Sequence, residues 1–455
     1  MKVRHLAAAL LAAAAALAQW SEPVNISRIQ PGTRARHPSL TVDSAGTLHA
    51  SWSLTVTDPF DWIEYACKPA GVDTWTLPVH VSRDTFPLRG SVVVIGPGHV
   101  PHIVWQSEAE PGHIYITRKD GDTWTIPERL TSWNRWGSGI KATADRAGRI
   151  HVVWDDVTFD YIWYASYDES GWHGPEPVAY DTTPWALFLP DVAADRNGRP
   201  HTVFVRRESL AYSYRSDTGW SEPSLVPTLL EQSRGHRVTL DTLDRLHVVS
   251  LEYDYHVSHS FWTGDSWSTP VRLDSVEGYE PSVCCDSWNQ VHVFFGDESI
   301  GMREKVWWRN RWQQALLVDT HPGWSEPVAE RNKLHLLWSK SRGAANYWSV
   351  WYSWRPLEPP AVGDRLDGPQ LEVTLLCQNP VTPNSAIVVT AVAQGPVVLS
   401  VLDATGRVVR RPESIVARPD GMRIRPYGLL PRAGVYFVRI EAKQMAKIVK
   451  VVRVN

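Results

Sequence analysis

Residues 19–354 contain one unit that returns seven times, and this repeat restricts the fold more than any other feature of the chain. In each copy an apolar strand and a turn lead to a second strand that begins at a histidine, and an aromatic strand and a hairpin follow. The histidines are His49, His102, His151, His201, His247, His292 and His335. Short β-rich runs at regular spacing, separated by Gly, Asp and Asn, predict an all-β repeat array.

Two further positions mark the unit. Three positions before the histidine, every copy but the second has a residue type that tolerates positive φ. A tight turn between two strands requires this backbone conformation. The residues at this position are Gly46, Gly148, Gly198, Asp244, Asn289 and Asn332. The closing strand begins with Trp and has Pro three residues later. Pro has no N–H to donate, so it suits an outermost strand, where no neighbouring strand needs that hydrogen bond. These pairs are Trp20–Pro23, Trp75–Pro78, Trp124–Pro127, Trp172–Pro175, Trp220–Pro223 and Trp267–Pro270; Trp312 begins the strand of the sixth unit without the Pro.

The two series are displaced by one unit. The Trp20 strand precedes the first histidine, and the seventh unit has no closing strand after it. A ring explains the displacement, because residues 20–27 can then supply the outer strand of the last sheet. The sequence therefore predicts a seven-bladed β-propeller over residues 19–354, closed by its N-terminal strand.

The two ends of the chain predict export. Lys2 and Arg4 precede an apolar run and a small-residue cleavage site, so residues 1–18 have the pattern of a signal peptide. No stretch is long and apolar enough to predict a transmembrane segment. Residues 355–371 are rich in Pro and Gly and predict a linker, and residues 372–455 predict a small C-terminal β-sandwich of Ig-like type.

Charge is unevenly distributed along the chain. Residues 19–371 hold 32 basic and 44 acidic side chains, whereas residues 372–455 hold 12 basic and five acidic ones. The acidic balance of the propeller region argues against nucleic acid as a partner. No Cys/His spacing indicates a metal site, and nothing in the sequence predicts a cofactor.

One mouth of the predicted ring combines aromatic and charged residues. Trp133, Trp136, Trp185 and Trp324 lie in connections between consecutive blades, and Arg36, Arg206 and Arg237 are near them in sequence. Flat indole faces on loops suit sugar rings, so these seven residues are the predicted ligand-binding set. The tryptophans could instead fill gaps between blades. Trp348, on a third strand, is predicted to pack between blades.

Acidic residues follow the second strand of several units at the same mouth. If the chain is an enzyme, the catalytic candidates are Asp156, Glu252 and Tyr253, because carboxylates on neighbouring blades could reach the separation used in glycoside hydrolysis. The alternative is a charged rim that keeps the protein soluble. The repeated histidines predict structural imidazoles that join blade to blade, since stacked sheets lie too far apart to share one ion.

The hairpins resemble those of sialidase-type, Asp-box propellers. Thr117–Trp124 and Ser260–Trp267 keep the end positions, the Gly and the Trp of that box, and Ser166–Trp172 keeps Ser, Asp168 and Trp with shifted spacing. The resemblance implies a glycoside-acting ring with an arginine triad, a Tyr/Glu pair and an acid Asp. Sialidases of this family have six blades, whereas this sequence predicts seven, and only Glu252–Tyr253 is suggestive of the pair.

The C-terminal region resembles the sorting domain of bacterial type IX secretion. The matching pieces are Asn379–Pro380, the turn from Asp403 to Arg407, the run from Leu430 to Tyr436 and the basic, apolar strand near the end. The resemblance implies passage through the periplasm and an extracellular or outer-membrane location, with the type IX machinery as partner of residues 372–455. An ordinary Ig-like accessory module is the alternative.

Two classes of function remain open on the sequence. One is an exported propeller that binds a glycan or protein ligand at one mouth of the ring. The other is a sialidase-like exo-glycosidase that uses carboxylates and arginines at the same mouth. Fold alone does not decide between them, because function depends on the site and not on the ring.

Overall fold

The computed structural model shows an all-β protein. It describes residues 20–29, 33–57, 60–82, 88–107, 113–131, 137–156, 160–183, 186–230, 232–273, 281–297, 301–308, 311–321, 323–342, 347–357, 371–375, 387–391, 395–404, 407–417, 422–424, 429–442 and 445–453. In these ranges the chain forms strands and turns with one short 3-10 helix, Pro97–His99. Among the described residues, no helix is long and apolar enough to cross a membrane.

Within the described ranges, the strands of the repeat region form seven groups of four or five antiparallel strands, each called a sheet below. The first and the seventh group are joined into one eight-stranded sheet by a single parallel bridge between Arg34 and Trp348. The chain begins with β1 (Val24–Asn25). The first sheet contains β2 (Arg34–Val42), β3 (Leu48–Thr57), β4 (Phe60–Lys68) and β5 (Val79–His80). The second contains β6 (Leu88–Ile95), β7 (Pro101–Ser107), β8 (His113–Asp120), β9 (Thr123–Trp124) and β10 (Glu128–Arg129). The third contains β11 (Gly137–Ala144), β12 (Ile150–Asp156), β13 (Tyr161–Asp168) and β14 (Gly171–Tyr180).

The remaining four sheets follow the same order. The fourth contains β15 (Leu187–Ala194), β16 (Pro200–Arg206), β17 (Ser209–Ser216), β18 (Gly219–Trp220) and β19 (Ser224–Leu225). The fifth contains β20 (Ser233–Leu240), β21 (Leu246–Glu252), β22 (Val257–Phe261) and β23 (Val271–Arg272). The sixth contains β24 (Ser282–Cys285), β25 (Val291–Asp297), β26 (Gly301–Trp308), β27 (Arg311–Trp312) and β28 (Leu316–Asp319). The seventh contains β29 (Ser325–Glu330), β30 (Lys333–Arg342), β31 (Tyr347–Pro356) and β1.

The N-terminal strand lies in the seventh sheet. In β1, Val24 is opposite Tyr352 and Asn25 is opposite Trp351 of β31. The amide of Ser21 donates to the Trp354 carbonyl at 2.7 Å. The predicted pairing of this segment with the last sheet is confirmed, and the seven sheets of four or five strands are consistent with a seven-bladed propeller.

The first strands of the sheets contact one another in chain order. Strand β2 contacts β6, and the series continues through β11, β15, β20, β24 and β29, which in turn contacts β2. Tryptophans of the closing strands pack edge-on against aromatic rings of the neighbouring sheet, with centroids 4.9 to 5.9 Å apart. These pairs are Trp20–Phe294, Trp75–Tyr352, Trp124–Tyr65, Trp220–Tyr164 and Trp312–His259. Such ring pairs add to the burial of large aromatic surfaces between sheets.

The predicted turns between first and second strands are present. Gly46, Gly148, Gly198, Asp244 and Asn289 all have φ between 60° and 90°. In the seventh unit Arg331 adopts positive φ, at 46°, so the prediction of Asn332 at this position was wrong by one residue. His99, at φ 56°, has this conformation in the second unit.

The repeated histidines bind within their own sheet. Imidazole Nδ1 lies 2.7 to 2.8 Å from a tyrosine hydroxyl on the third strand, and Nε2 lies 3.3 to 3.6 Å from an aspartate six residues earlier. The three clearest sets are Asp43–His49–Tyr65, Asp145–His151–Tyr164 and Asp195–His201–Tyr212. Because the carboxylate can only accept, Nε2 of His49 and Nε2 of His151 donate to it, and Nδ1 accepts from the tyrosine. The contact of His201 with Asp195, at 3.6 Å, is longer than a hydrogen bond. The polar contacts of these three histidines therefore lie within one sheet and do not join blade to blade. His102 and His247 do contact the next sheet, through the rings of Tyr167 at 5.7 Å and Trp307 at 4.8 Å.

The aspartate of each set also closes the turn. One oxygen of Asp43 accepts the amides of Ala45 and Thr47 at 2.9 and 2.8 Å, which leaves its other oxygen for His49. Burial lowers the pKa of His49, and burial together with Lys333 and Lys68 lowers that of His335 to about 3. In the first sheet, a neutral His49 thus links the turn to the third strand.

The sixth sheet replaces the tyrosine with a carboxylate. His292 Nδ1 lies 2.8 Å from Glu304 and its Nε2 lies 3.3 Å from Asp286, so both nitrogens donate and the ring is cationic. Although burial opposes the charge, the two carboxylates raise the pKa of His292. Arg355 donates to Glu304 through Nε at 3.0 Å and through Nη2 at 2.5 Å. Although burial opposes the charge of Glu304, His292 and Arg355 favour it and lower the pKa of this carboxyl to about 2.

The chain divides into two compact units. One comprises Met1–Ser260 and Thr269–Leu357, and the other comprises Phe261–Ser268 and Glu358–Asn455. Strand β31 continues to Pro356, and Leu357 is buried, so ordered structure extends past residue 354, the predicted end of the propeller.

Strands predicted for the C-terminal region are present. Two sheets contain β32 (Leu371–Leu375), β33 (Ile387–Ala391), β34 (Gly395–Asp403), β35 (Val408–Ala417), β36 (Met422–Ile424), β37 (Gly434–Ala442) and β38 (Met445–Arg453). One sheet has the order β32-β33-β36 and the other β35-β34-β37-β38.

Candidate functional site

A cavity of about 740 Å³ lies among the first strands of the sheets. Residues from all seven of these strands line it. A second cavity of about 520 Å³ shares Ser39, Val92 and Glu326 with the first, so the two adjoin along these strands. The repeat therefore produces a space that no single unit contains.

Bulges in the first strands shape the wall of this cavity. The register shifts in β2, β6, β11 and β15, and in each bulge one residue has positive φ. These residues are His37, Gly90, Gly139 and Leu189, and all four line the cavity. A β-bulge changes the direction in which the side chains of a strand point. Here the bulges bring residues of four first strands to the cavity.

An aromatic cluster lies where β2 and β29 meet the cavity. The Trp324 ring stacks on Trp348, with centroids 5.2 Å apart and planes at 27°, and His37 packs against Trp324 at 5.2 Å. The guanidinium carbon of Arg36 lies 5.5 Å from the Trp348 ring centroid. We call His37, Arg36, Trp324 and Trp348 the aromatic wall. It offers flat surfaces and a cation at one side of the cavity.

Charged side chains also line the same cavity. Arg237 Nη2 is 3.5 Å from Glu326 Oε2, and Lys141 and Asp191 also line the space. The Asp191 oxygens accept the amides of Val192 and Val238 at 2.9 and 3.0 Å, which fixes this carboxylate between two sheets. Burial raises the pKa of Glu326 even though Arg237 and Lys141 favour its charged form.

Comparisons with known proteins support the fold alone. Neither a protein-family model nor a curated protein matches the chain. A fungal alcohol oxidase of the AA5 family, in complex with copper, is similar in structure, with TM-score 0.50, 12% identity and coverage of 95% of this chain and 99% of that one. A protein of unknown function from Dyadobacter fermentans has TM-score 0.49 and 12% identity, over 75% of this chain and 100% of that one.

Sialidases also appear among the similar structures. The intramolecular trans-sialidase from Ruminococcus gnavus, in complex with oseltamivir carboxylate, has TM-score 0.44 and 12% identity, over 73% of this chain and 96% of that one. The predicted likeness to sialidase propellers thus exists as structural similarity at low sequence identity. None of these comparisons concerns a secretion sorting domain.

The structure brings three of the predicted ligand-binding residues together. Arg36, Arg237 and Trp324 all line the 740 Å³ cavity. Arg206 does not line it; its Nε donates to Asp181 at 3.3 Å, and this carboxylate also accepts from Arg207 at 2.9 Å. Trp133, Trp136 and Trp185 lie outside the described residues.

The three catalytic candidates are not gathered at the cavity. Glu252 is fully buried, and its oxygens accept the amides of Leu229 and Leu230 at 2.9 and 2.7 Å and the Ser258 hydroxyl. Asp156 is buried and accepts the Asp160 amide at 3.2 Å. Tyr253 is 56% exposed. None of them is among the described residues that line the cavity, and their catalytic assignment stays a prediction.

A Ser, His and Asp group on the third hairpin has the composition of a hydrolytic triad. The Ser170 hydroxyl donates to Asp168 at 2.6 Å, and His173 Nε2 lies 3.0 Å from Ser170 and 2.9 Å from Asp168. Both partners contact the same imidazole nitrogen, so the ring cannot relay a proton from serine on one side to carboxylate on the other. This group ties the hairpin turn together. Among the described residues, no group of three His, Cys, Asp or Glu side chains is placed to hold a metal ion.

Several cavity residues were missed from the sequence. Lys141, Asp191 and Glu326 are charged side chains on first strands. Only Asp191, the single charged residue of the apolar strand β15, departs clearly from its strand pattern, and this departure was the available signal. Trp348 was predicted to pack between blades, but it stacks on Trp324 in the aromatic wall. Nothing in its sequence neighbourhood distinguishes it from the other third-strand tryptophans.

Proposed function

We propose that this chain is a secreted or cell-surface β-propeller that binds a glycan in the cavity among its first strands. The observation that carries the proposal is the aromatic wall, in which Trp324 is held against Trp348 beside the cavity. A sugar ring can stack on an indole held in this way with little loss of conformational freedom. Arg36 and Arg237 supply hydrogen-bond donors for hydroxyl or carboxylate groups.

The proposal includes a closed ring of seven blades. The pairing of β1 with β31 and the contact between β29 and β2 support closure. A closed ring holds the seven first strands in fixed relation, and this fixed relation keeps the cavity preformed.

The cavity favours binding over glycoside hydrolysis. Hydrolysis by two carboxylates requires both groups beside the scissile bond. Glu252 is instead engaged by three donors within the protein, and Asp156 is engaged by a backbone amide. We therefore keep a sialidase-like exo-glycosidase, and a protein ligand in the same cavity, as outcomes that the experiment distinguishes.

A glycan array followed by calorimetric titration with the strongest glycan tests the proposal. We expect Trp324→Ala to weaken binding at least tenfold, whereas Tyr180→Ala, which removes an aromatic side chain that is 54% exposed on the third sheet, leaves affinity unchanged. Equal affinity of the two variants, or no glycan bound, would refute glycan binding in this cavity. Hydrolysis of a fluorogenic sialoside that Glu252→Gln abolishes would instead support the enzyme.

The export route is a separate part of the proposal. Residues 1–18 direct the chain to the periplasm, and residues 372–455 act as an Ig-like sorting domain for type IX secretion, which places the propeller outside the cell or on the outer membrane. The sequence resemblance supports this route. In a bacterium with type IX secretion, deleting residues 372–455 should retain the propeller in the periplasm, and unchanged secretion of the truncated chain would contradict the assignment.

A further inference from the structure

We propose that an exposed surface on the fifth sheet binds an acidic, apolar peptide segment of a protein partner. This surface, which we call the Arg234 surface, consists of Leu229, Leu230, Arg234, Tyr253 and Tyr255. The exposed fractions are 40% for Leu229, 45% for Leu230, 56% for Tyr253 and 41% for Tyr255. Tyrosine and arginine at the centre of such a patch are the residue types that contribute most to protein–protein affinity.

The arginine at the centre of this surface is held by two aromatic rings. The guanidinium carbon of Arg234 lies 4.2 Å from the Tyr253 centroid and 4.4 Å from the Tyr255 centroid. Within the described part of the chain, this guanidinium makes no hydrogen bond or ion pair. Stacking occupies the flat face of the group and leaves the N–H donors at its edge, where a carboxylate can bind in bidentate geometry.

The backbone under the surface is fixed before any partner arrives. Glu252 binds the amides of Leu229 and Leu230, so these two neighbouring leucines are held beside Tyr253. Tyr255 has φ 65°, and its amide donates to the Glu252 carbonyl at 2.9 Å. A bulky side chain at positive φ is unfavourable and persists where its surroundings determine it, often at binding sites. A preformed surface of this kind loses little entropy on binding.

Charge complementarity selects an acidic partner. Two acidic side chains among the described residues of these loops are engaged within the protein: Arg272 donates to Asp254 at 3.2 Å, and Gln232 donates to Glu208 at 2.7 Å. Because Asp254 and Glu208 already have partners, they do not compete with an incoming carboxylate for the Arg234 guanidinium.

The apolar side chains favour a peptide over a sugar. Leu229 and Leu230 offer no hydrogen-bond partner to hydroxyl groups, and Arg234 packs against the rings of both tyrosines. Leucine, isoleucine or valine side chains of an extended peptide can instead bury against the two leucines while an aspartate or glutamate reaches Arg234. The surface thus fits a segment in which apolar and acidic residues are mixed.

Fluorescence anisotropy with labelled decapeptide pools tests this inference on the full chain. One pool has Leu or Asp at every position at random, and the comparison pools have Leu with Asn and Leu with Lys. We expect the Leu/Asp pool to bind and the other two to bind at least tenfold more weakly. Arg234→Gln and Tyr253→Ala should each weaken the Leu/Asp pool at least tenfold. Arg118→Gln, a change at an exposed arginine on β8, should leave it unchanged.

Three outcomes would overturn the inference. They are equal binding of the Leu/Asp and Leu/Asn pools, unchanged affinity in Arg234→Gln, and a glycan that displaces the peptides from the wild-type surface. Because Arg234 is exposed, the urea midpoint of Arg234→Gln should match that of the wild type, which separates lost binding from lost folding. Arg234→Lys gives a further readout, since it keeps the charge but removes the fork and should recover only part of the affinity.

Discussion

The docking of the N-terminal segment in the seventh sheet can be tested by removing one side chain. Ile26 is 1% exposed and belongs to a core cluster that includes Leu40 from the first sheet and Leu337 from the seventh. Ile26→Ala deletes three buried carbon groups at about 0.8 kcal/mol each and leaves a cavity, so we expect a loss of about 3 kcal/mol in the free energy of unfolding. With a urea m-value of about 3 kcal/mol/M, the midpoint should fall by about 1 M.

Val24→Ala is the matched control, because Val24 lies in the same segment but is 50% exposed. Its midpoint should fall by no more than about 0.3 M, since exposed substitutions usually change stability by less than about 0.5 kcal/mol. Urea titration followed by tryptophan fluorescence measures both variants. If Ile26→Ala moves the midpoint no further than Val24→Ala does, the segment is not packed between the first and seventh sheets, and the argument for a closed ring loses its main support.

Three further predictions concern buried ionisable groups. The pKa of His335 is about 3 in the folded protein and about 6.5 in the unfolded chain. The free energy of unfolding should therefore be unaffected by this group above pH 6.5 and about 3 kcal/mol lower at pH 4. Urea titrations of the wild type and His335→Gln at pH 6.5 and pH 4 should show that only the wild type loses this amount. Despite burial, the two carboxylate partners of His292 raise its pKa, so its stabilising charge is present below pH 6.5 and is lost as pH rises through the folded value. NMR titration should find that the His292 ring loses its proton at a higher pH than a free imidazole and that the His335 ring loses its proton at a lower one. Glu252→Gln turns an amide group towards the Leu230 N–H and should cost about 2 kcal/mol in a urea titration; no loss would contradict the hydrogen bonds assigned to this carboxylate.

The repeat made the architecture predictable. A histidine at the start of each second strand and a Trp on each closing strand, followed by Pro in all but the sixth unit, predicted the number of sheets and the order of their strands, because each unit must bury both faces of its sheet against its neighbours. The displacement between the two series predicted that the Trp20 segment pairs with the last sheet. In the structure, Val24 and Asn25 pair with β31.

The structural role of the histidines was predicted, but their partners were not, although the signal was present. An aspartate precedes five of the histidines by six residues: Asp43, Asp145, Asp195, Asp241 and Asp286. In the first sheet, His49 is opposite Cys67 on the third strand, and Tyr65 lies two residues from Cys67. Sequence spacing alone does not say whether a side chain points along its own sheet or across to the next. Only the turn geometry, in which the aspartate binds two amides and then the imidazole, decides this.

The cavity was harder to predict because its residues depend on bulges. A one-residue shift in β2 brings His37 to the cavity at positive φ, and no turn residue marks that position in the sequence. In a strand, such a shift reverses which face each later side chain occupies. Arg36 and Trp324 were nominated from their place in the unit, whereas Glu326 and Lys141 became visible only once the first strands were assembled.

The copies share most of their structural residues, so we place the proposed recognition chemistry in the differences between them. In the first, third and fourth copies an Asp, His and Tyr set holds the turn to the third strand, whereas in the sixth copy Glu304 takes the place of the tyrosine beside His292. The aromatic wall and the Arg234 surface both consist of residues outside the repeated positions. A repeat protein can vary such residues one copy at a time without weakening the contacts that the copies share, and this independence is compatible with the two proposed binding surfaces on one propeller.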